Sequence, residues 1–454
     1  MAIQTQNPAT GKVIKTFEAY SDAQVDHDIE NSLSAHEILR DWSFERRAEA
    51  MLKAADILED EADRLGEIMT LEMGKTFKGA KAEAKKCAWV CRHYAETAED
   101  YLADEMIESG ASKSYRKYLP LGPVLAVMPW NYPFWQVMRF AAPALMAGNT
   151  GLLKHASNVP QCALAIEDVF NRAGFPDGAF TALLIGGSKV ERILRDDRVR
   201  AATLTGSEPA GASVASICGE EIKPTVLELG GSDPFIIMPS ADLEEAVKVG
   251  TTARTQNNGQ SCIAAKRFFV HADIYDDVKS RFVEAFEALK IGDPMKDETD
   301  IGPLVNKDGR DTISKQVDNA LKDGAKRVTG AEPMDGDGYY FKPGIIENIP
   351  ESSDAYHEEI FGPVMLLFKV ESLDKAIKIA NASPFGLGSS VWTTDKAEQE
   401  EAIRRIEAGA TFINSMTASD PRLPFGGIKR SGYGRELAAE GIRAFCNVKT
   451  VSIA

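Results

Sequence analysis

Short apolar runs alternate with amphipathic helical patterns from residue 124 onward, and this alternation constrains the fold more than any other feature of the chain. The first runs are residues 124–128, 151–154, 180–185, 201–205 and 226–229. Strands that alternate with helices form parallel sheets, because each helix returns the chain to the edge where the strand began. The carboxyl ends of parallel strands share one edge, where ligands bind. The sequence therefore predicts an α/β fold with its site at that edge.

A second α/β block follows residue 240. Helical patterns cover residues 243–255 and 276–289, and further apolar runs are residues 266–270, 363–368, 388–392 and 410–413. By contrast, residues 43–102 indicate long helices, with Met51, Ala54, Ala55 and Leu58 at helical spacing. We expect this segment to be scaffold and the ligand site to lie in the cleft between the two blocks.

Two strand-prone segments belong to neither block. They are residues 106–118 and the terminal run 446–454. Exposed edge strands invite pairing with another chain. We therefore assign both segments to subunit assembly, and we expect a homodimer or a homotetramer.

Charge and hydropathy limit the partners of the chain. A net charge of −16 and an isoelectric point of about 5.0 argue against nucleic acid and anionic membranes, since both attract clustered positive charge. Residues 1–16 lack the charged start and apolar run of a signal peptide. The most apolar region, residues 124–153, is interrupted by prolines and polar residues, so we expect no membrane span. We predict a cytoplasmic protein, which suits free thiols.

Cys262 ends the polar run NNGQSC at residues 257–262. A thiolate is a strong nucleophile, so it can add to an aldehyde carbonyl and give an alkoxide that expels hydride to a nicotinamide. The remaining thioester needs an activated water, for which the carboxylate of Glu228 is the candidate base. The ordinary role of a lone cysteine is that of a small buried hydrophobe, but Gly259 and its polar neighbours favour a loop that a ligand can approach. No cysteine or histidine spacing is typical of zinc, so we expect no metal.

Neither standard phosphate-binding loop occurs, G-x-G-x-x-G after a strand or G-x-x-x-x-G-K-[ST]. Residues 203–211 instead run from a strand pattern into a helical one, and free amides at that helix start can hold a pyrophosphate. The same Gly-Ser-Glu-Pro run is equally typical of a plain helix cap. On these residues alone both interpretations stay open.

Six motifs follow one another along nearly the whole chain. They are PWNYP at 129–133, TGS at 205–207, LELGG at 227–231, GQSC at 259–262, EIFGP at 359–363 and PFGG at 424–427. Together they closely resemble the aldehyde dehydrogenase superfamily. That resemblance implies an α/β fold with a Rossmann-type dinucleotide-binding domain, an α/β catalytic domain and a small β oligomerisation element. The corresponding segments are residues 1–105 with 121–230, residues 231–435, and residues 106–120 with 436–454.

The resemblance also implies the roles of the site residues. Cys262 is the nucleophile, Glu228 the general base, and the Asn131 amide with the Cys262 backbone N–H forms the oxyanion hole, in agreement with the chemistry above. The implied cofactor-binding residues are Trp130, Lys154, Gly206, Ser207, Glu359 and Phe361, with Glu359 at the nicotinamide ribose and Phe361 beside the nicotinamide.

Residue 157 bears on the choice of nicotinamide. Relatives that use NAD often carry a glutamate three residues after the lysine that matches Lys154, where it accepts from both ribose hydroxyls and repels a 2′-phosphate. Here that residue is Ser157, which is neutral and can donate a hydrogen bond, while Lys154 adds a positive charge. We predict NADP as the cofactor, with NAD as the weaker alternative.

Within the superfamily the chain is most similar to the succinate-semialdehyde dehydrogenases, through Arg139 on the helix after Asn131 and Ser419 before the PFGG motif. An arginine and a serine hydroxyl would hold the carboxylate at the far end of a short semialdehyde substrate. Trp135 and Ser261 complete the predicted substrate site. The alternative for Arg139 is a structural ion pair.

One departure leaves the substrate open. Relatives carry a second carboxylate-binding arginine six residues before the nucleophile, where this chain has Gln256. Glutarate semialdehyde and neutral aliphatic aldehydes therefore stay as alternatives. From other classes, the alternatives are a cysteine thioester hydrolase and a non-catalytic structural relative. The hydrolase would normally use a histidine base and would not explain Lys154 or Glu359.

Overall fold

The computed structural model describes residues 2–454, in which helices and strands alternate along most of the chain. The helices are α1 (Asp22–Leu39), α2 (Phe44–Asp60), α3 (Ala62–Met73), α4 (Phe77–Tyr101), α5 (Trp135–Ala147), α6 (Pro160–Ala173), α7 (Val190–Leu194), α8 (Glu208–Glu220), α9 (Leu243–Thr255), α10 (Tyr275–Glu287), α11 (Lys307–Lys322), α12 (Asp354–His357), α13 (Leu373–Asn381), α14 (Lys396–Arg405) and α15 (Ala438–Arg443). The strands are β1 (Ile3–Asn7), β2 (Lys12–Phe17), β3 (Glu105–Met106), β4 (Lys113–Pro120), β5 (Pro123–Met128), β6 (Thr150–His155), β7 (Phe180–Ala182), β8 (Ala201–Thr205), β9 (Thr225–Glu228), β10 (Pro234–Ile237), β11 (Arg267–His271), β12 (Lys326–Thr329), β13 (Glu332–Pro333), β14 (Phe341–Lys342), β15 (Gly344–Glu347), β16 (Val364–Val370), β17 (Ser390–Trp392), β18 (Phe412–Ile413), β19 (Gly432–Tyr433) and β20 (Cys446–Ile453).

The first large sheet has six strands in the order β19-β9-β8-β5-β6-β7. β5 to β9 run parallel, and β19 pairs antiparallel with β9. All residues of β8 are buried, as expected for a strand that is covered on both faces. The predicted parallel sheet is confirmed. One predicted run was too long, because the N–H of Ile185 turns back to the carbonyl of Leu183 (2.8 Å) and the ladder of β7 ends at Ala182.

The second large sheet has the order β12-β15-β16-β11-β10-β17-β18, and β12 at its edge is the antiparallel strand. β17 and β18 begin at Ser390 and Phe412, later than the predicted residues 388 and 410. The preceding residues bond elsewhere: the N–H of Gly388 donates to Asp233 Oδ1 (3.0 Å), and Ser389 Oγ donates to the carbonyl of Ala410 (3.0 Å). β10 was not predicted, because its four residues directly follow a polar, glycine-rich segment.

Helices α2, α3 and α4 pack against one another and form the predicted scaffold. Met51, Ala54, Ala55 and Leu58 on α2 are fully buried, which confirms the helical spacing read from the sequence. Glu83 on α4 then reaches the next helix, where its Oε1 accepts from the backbone N–H groups of residues 134 and 135 (2.9 Å each). This carboxylate fixes the start of α5, since it satisfies amides that a helix N-terminus leaves free.

A third sheet joins the two strand-prone segments in the order β20-β4-β3. β20 pairs antiparallel with β4 from Cys446 opposite Pro120 to Ile453 opposite Lys113. The predicted strand at 106–118 is divided, because the chain turns between β3 and β4. The domain boundaries and the role of this sheet in assembly stay predictions, and Met1, with which the first predicted domain begins, lies outside the described residues.

The sequence did not lead us to predict the first elements of the chain, which are the hairpin β1–β2 and helix α1. A capping box marks the start of α1: the N–H of Gln24 donates to Ser21 Oγ (3.3 Å), and Gln24 Oε1 accepts from the N–H of Ser21 (2.8 Å). That signal was available in the sequence. Among residues 2–454, no helix is both long enough and apolar enough to cross a membrane.

Candidate active site

The loop between α9 and β11 carries Cys262 in an unusual backbone conformation. Asn257, Asn258 and Gly259 have positive φ angles of 54°, 57° and 76°. Such angles are rare outside glycine, although asparagine tolerates them best among the other residues. At Gly259 a Cβ would lie 2.4 Å from the carbonyl carbon of Gly362, so this position has no room for a side chain. The NNG part of the motif is therefore required by the shape of the loop.

Side-chain amides fasten this loop to distant segments. Asn258 Nδ2 donates to the carbonyls of Gly74 and Pro303 (2.9 Å each), and its Oδ1 accepts from the N–H of Gly302 (2.9 Å). Gln260 Oε1 accepts from the N–H of Val305 (3.0 Å). Buried backbone groups are thereby satisfied, which lets a loop lie inside the protein.

Two buried cations, which the sequence analysis missed, hold the same loop through its carbonyl groups. Arg254 Nη2 donates to the carbonyl of Gly259 (2.6 Å). Lys266 Nζ donates to the carbonyls of Ser261 (2.7 Å) and Cys262 (2.6 Å). Both side chains are fully buried. For Lys266 a signal was present in the sequence, since this lysine directly precedes the buried strand β11. A lysine in such a segment is almost never buried without partners.

The thiol of Cys262 is half-buried. Burial raises its pKa to about 12, although the charges of Arg139 and Lys266 act to lower it. The thiol is therefore protonated near neutral pH, and a base must take its proton before the sulfur can attack.

Glu228 is the last residue of β9 and is buried, with both carboxylate oxygens free of hydrogen bonds to residues 2–454. Burial raises its pKa well above the ordinary value, and the neighbouring Glu436 raises it further, whereas Arg139 and Arg435 act to lower it. Gly426 packs directly against it, since a Cβ there would lie 2.6 Å from Glu228 Oε1. A carboxylate with this raised pKa can accept a proton near neutral pH.

Asn131, just after β5, contacts the loop that carries Cys262. Its Nδ2 donates to the carbonyl of Gln260 (3.2 Å), and its own carbonyl accepts from Asn257 Nδ2 (2.8 Å). The structure thus places the amide beside the segment that leads to Cys262, where the sequence analysis expected the oxyanion hole.

A cavity of about 220 Å³ opens beside Cys262. The four residues predicted to bind substrate all line it, namely Trp135, Arg139, Ser261 and Ser419. Gln256 lines it too, and so does Lys86 on α4, which the sequence analysis missed. Sequence spacing gives no sign of Lys86, because α4 reaches the site only through tertiary packing.

Arg139 lies in this cavity and also forms the structural ion pair that was its alternative role. It lines the cavity, but its side chain is buried and its Nε lies 2.6 Å from Glu436 Oε2. Its guanidinium also stacks over the ring of Phe425, 4.3 Å from the ring centroid. The ion pair given as the alternative is thus present, and substrate binding by Arg139 stays a prediction.

A larger cleft of about 850 Å³ lies at the carboxyl ends of β8 and β9, and residues of α11 and α12 also line it. Ser207, Gly230 and Glu359 line it, and Glu359 Oε1 lies 2.9 Å from Lys266 Nζ. Trp130 and Phe361 meet edge to face, with ring centroids 5.8 Å apart. Gly206 directly precedes the first residue of this lining.

Lys154 and Ser157 lie outside the lining of this cleft. They stand at the carboxyl end of β6, which belongs to the same edge of the first sheet as the ends of β5, β8 and β9. Lys154 makes no salt bridge within residues 2–454, and burial lowers its pKa.

Comparisons with known proteins agree with this geometry. The profile of the aldehyde dehydrogenase family matches residues 1–451. The chain belongs to the aldehyde dehydrogenase family. It is 60% identical over 460 residues to the succinate-semialdehyde dehydrogenase [NADP(+)] of Mycobacterium avium, covering 100% of this chain and 97% of that one. Against succinate-semialdehyde dehydrogenase [NADP(+)] 1 of Mycobacterium tuberculosis, identity is 58% over 457 residues, with full coverage of both chains.

A solved aldehyde dehydrogenase structure superposes on the chain. The succinic semialdehyde dehydrogenase of Streptococcus pyogenes, crystallised with NADP+ as the cofactor, gives a TM-score of 0.97 at 38% identity, with 100% of both chains covered. The predicted family and its two-part α/β fold are therefore confirmed.

The raised pKa of Cys262 predicts how its alkylation depends on pH. Below its pKa, the thiolate fraction of a thiol rises about tenfold per pH unit. In the cofactor-free protein, alkylation of Cys262 by iodoacetamide should therefore rise about tenfold per unit between about pH 7 and pH 9, without a plateau. Mass spectrometry of the Cys262 peptide gives the rate, and Cys262→Ala identifies the signal. A plateau within that interval would contradict the raised pKa.

Proposed function

We propose that this aldehyde dehydrogenase oxidises succinate semialdehyde to succinate with NADP, through a thioester on Cys262. The observation that carries this proposal is the single cavity that joins Cys262 to Ser419 and Arg139. An aldehyde at one end of a four-carbon chain would meet the thiol while the carboxylate at the other end meets hydroxyl and cationic groups. The names of the relatives from Mycobacterium and Streptococcus support the same substrate and cofactor.

In the first half of the reaction the Cys262 proton passes to solvent water, and Sγ forms a bond to the aldehyde carbon. The resulting oxyanion would accept hydrogen bonds from Asn131 Nδ2 and the Cys262 backbone N–H. The aldehyde hydrogen then departs with its electron pair, and a thioester remains. NADP, when bound, supplies the hydride acceptor. Glu228 is left ionised for the second half, in which its raised pKa suits it to accept a proton from water.

In the second half Glu228 takes a proton from water, and the hydroxide attacks the thioester carbon. The carbon–sulfur bond breaks, succinate forms, and the leaving Cys262 thiolate takes the proton that Glu228 accepted from water. Both Glu228 oxygens lack hydrogen-bond partners within residues 2–454, so they are available to a water molecule. Only the ionised form of Glu228 acts as a base, so hydrolysis should accelerate as pH rises toward its raised pKa.

The residues around the large cleft fit a dinucleotide. We infer that Ser207 and Gly206, before α8, bind the pyrophosphate, that Glu359 binds the nicotinamide ribose, and that Trp130 and Phe361 pack at the cofactor. The helix start leaves backbone amides free for an anion, and the Ser207 side chain does not cap them.

We further infer that Lys154 and Ser157 bind the 2′-phosphate. Lys154 has no carboxylate partner within residues 2–454, so its charge is available. Ser157 adds a hydroxyl donor without negative charge. NAD would lose these contacts and bind more weakly.

We propose a cytoplasmic homodimer or homotetramer that associates through the sheet β20-β4-β3. Three apolar side chains on this sheet are exposed, Met106, Val448 and Ile453. Exposed apolar side chains and a free edge strand are typical of a surface that pairs with another chain.

The proposal predicts a substrate preference. Wild-type protein with NADP should have a higher kcat/KM for succinate semialdehyde than for butanal, by about ten- to a hundredfold, because only the former gains a charge-assisted hydrogen bond. NADPH absorbance measures both reactions, and Cys262→Ala should abolish both. Equal efficiency on the two aldehydes would reject the substrate. Hydrolysis of a thioester with no aldehyde-dependent NADPH would favour the cysteine hydrolase.

Glu228→Gln should uncouple the two halves of the reaction. Acylation should still give a burst of about one NADPH per site, while the following turnover falls about a hundredfold or more, because the amide cannot accept a proton from water. Stopped-flow absorbance resolves the phases. Glu371→Gln is the matched control, since Glu371 is exposed. Wild-type steady-state turnover in Glu228→Gln would remove Glu228 from the base role.

Ser157→Glu should reverse the cofactor preference. A carboxylate at this position repels a 2′-phosphate and accepts from a 2′-hydroxyl, so the ratio of kcat/KM with NADP to kcat/KM with NAD should fall about tenfold or more. Ser280→Glu adds the same charge at an exposed position on α10 and should leave the ratio unchanged. An unchanged ratio in Ser157→Glu would show that Ser157 does not face the adenosine ribose.

A further inference from the structure

Lys86 lies on α4 at the wall of the substrate cavity, in the same lining as Cys262. Its Nζ donates to Ser419 Oγ (3.0 Å) and stands 4.3 Å from the centroid of the Trp135 ring. It makes no salt bridge within residues 2–454. A half-buried ammonium group with only a hydroxyl and a ring as partners retains N–H bonds and charge for an anion.

Ser419 supports the same conclusion from its own hydrogen bonds. Its Oγ accepts from Lys86 Nζ (3.0 Å) and from Trp135 Nε1 (2.9 Å). A hydroxyl oxygen has two acceptor sites and one proton. Because both acceptor sites are used, the Ser419 proton is directed away from these donors and can be donated to a ligand. A hydroxyl arranged in this way favours an acceptor such as a carboxylate.

The nearby carboxylate of Glu83 does not neutralise Lys86. One Glu83 oxygen accepts from the backbone N–H groups of Phe134 and Trp135 (2.9 Å each), and the other pairs with the buried Lys75. Both oxygens are thus committed to the start of α5 and to another lysine. The charge of Lys86 is left for the cavity.

The other polar side chains of the cavity carry less free charge. Arg139 lies 2.6 Å from Glu436 through its Nε, which offsets much of its charge. Gln256, which also lines the cavity, is neutral. Without Lys86, the only cation in the cavity lining would be Arg139, which is already paired with Glu436.

We propose that Lys86 binds the distal carboxylate of succinate semialdehyde, with Ser419 as a hydrogen-bond donor beside it, and so supplies the charge that Gln256 lacks. This inference rests on the proposed function, since it assigns the group that selects an anionic aldehyde. It gives α4, part of the scaffold, a direct role in specificity.

The ionisation of Lys86 supplies an independent readout. Burial lowers its pKa to about 8 and Arg139 on α5 acts in the same direction, whereas Cys87 and Glu83 on its own helix and Asp420 in the facing loop act to raise it. Below that pKa the ammonium is charged and holds a carboxylate. Above it the amine is neutral and the attraction is lost.

The test compares two substrates in three variants. With NADP saturating, Lys86→Met should lower kcat/KM for succinate semialdehyde about tenfold or more, mainly through KM, and leave butanal within about twofold of wild type. Lys86→Arg keeps the charge and should retain most of the selectivity. Lys85→Met is the matched control, because Lys85 is the neighbouring residue of the same helix and is exposed. Thermal denaturation checks that each variant is folded.

A pH series on the wild-type protein tests the same assignment without relying on a variant. In wild type, the ratio of kcat/KM for succinate semialdehyde to that for butanal should fall as pH rises through about 8, because only one substrate depends on the Lys86 charge. In Lys86→Met the ratio should not change with pH, because methionine does not ionise. In Lys86→Arg the ratio should stay at its low-pH value above about pH 8, because arginine keeps its charge.

The outcomes separate the two proposals. If wild type does not prefer succinate semialdehyde to butanal, the proposed substrate is wrong and the assignment of Lys86 falls with it. If wild type has the preference and Lys86→Met keeps it, or loses activity equally on both aldehydes, only the assignment of Lys86 is overturned. A ratio that is independent of pH in wild type would overturn that assignment as well.

Discussion

A single buried ammonium group connects the loop of Cys262 with the larger cleft. Lys266 Nζ donates to the carbonyls of Ser261 and Cys262 and lies 2.9 Å from Glu359 Oε1. Removal of a charge from water costs several kcal/mol unless its partners are all in place. Burial of Lys266 is therefore favourable only while the Cys262 loop and the Glu359 carboxylate keep their positions. The position of the thiol and that of a cleft-lining carboxylate are thus set by one group.

The same low-polarity setting acts on both groups that we assign to proton transfer. Burial raises the pKa of Cys262 and that of Glu228, and Arg139 acts to lower both. A raised pKa lets the Glu228 carboxylate take a proton from water more readily than an ordinary carboxylate would. The raised pKa of Cys262 in turn favours return of that proton to the thiolate that leaves the thioester. Burial of the two groups together therefore suits the proposed hydrolysis step, in which a proton passes from water through Glu228 to the sulfur.

The sequence predicted those parts of the fold that depend on local pattern. β8 and α9 begin and end where their apolar patterns do, because a strand covered on both faces and an amphipathic helix each leave a clear periodicity. β10 has no such pattern, since it is a short run whose place in the sheet depends on β11 and β17. The capping box of α1 was present in the sequence and was not used.

In the candidate site, too, residues within local motifs could be predicted, whereas residues whose roles depend on tertiary contacts could not. Cys262, Glu228 and Asn131 lie within local motifs, and the structure brings their segments together. Lys266 and Lys86 lie outside the motifs that were read, because their roles come from burial and from contacts across the fold. Arg139 lines the cavity, and its ion pair is with Glu436, a residue far along the chain. Partners of this kind cannot be inferred from spacing.

The two ends of the substrate cavity are built by different parts of the chain, and this separates chemistry from selectivity. The end that we propose for the reaction comes from the loop of Cys262 and from segments that follow strands, which are also the segments that hold the family motifs. Lys86 on α4, Trp135 and Arg139 on α5, and the loop that carries Ser419 supply the rest of the lining. Lys86, Trp135 and Ser419 can change without replacing the thiol, the proposed base or the proposed oxyanion donors, whereas Arg139 also acts on the pKa of Cys262 and that of Glu228. Family motifs therefore identify the reaction, while the charge that chooses the aldehyde must be sought on the helices around it.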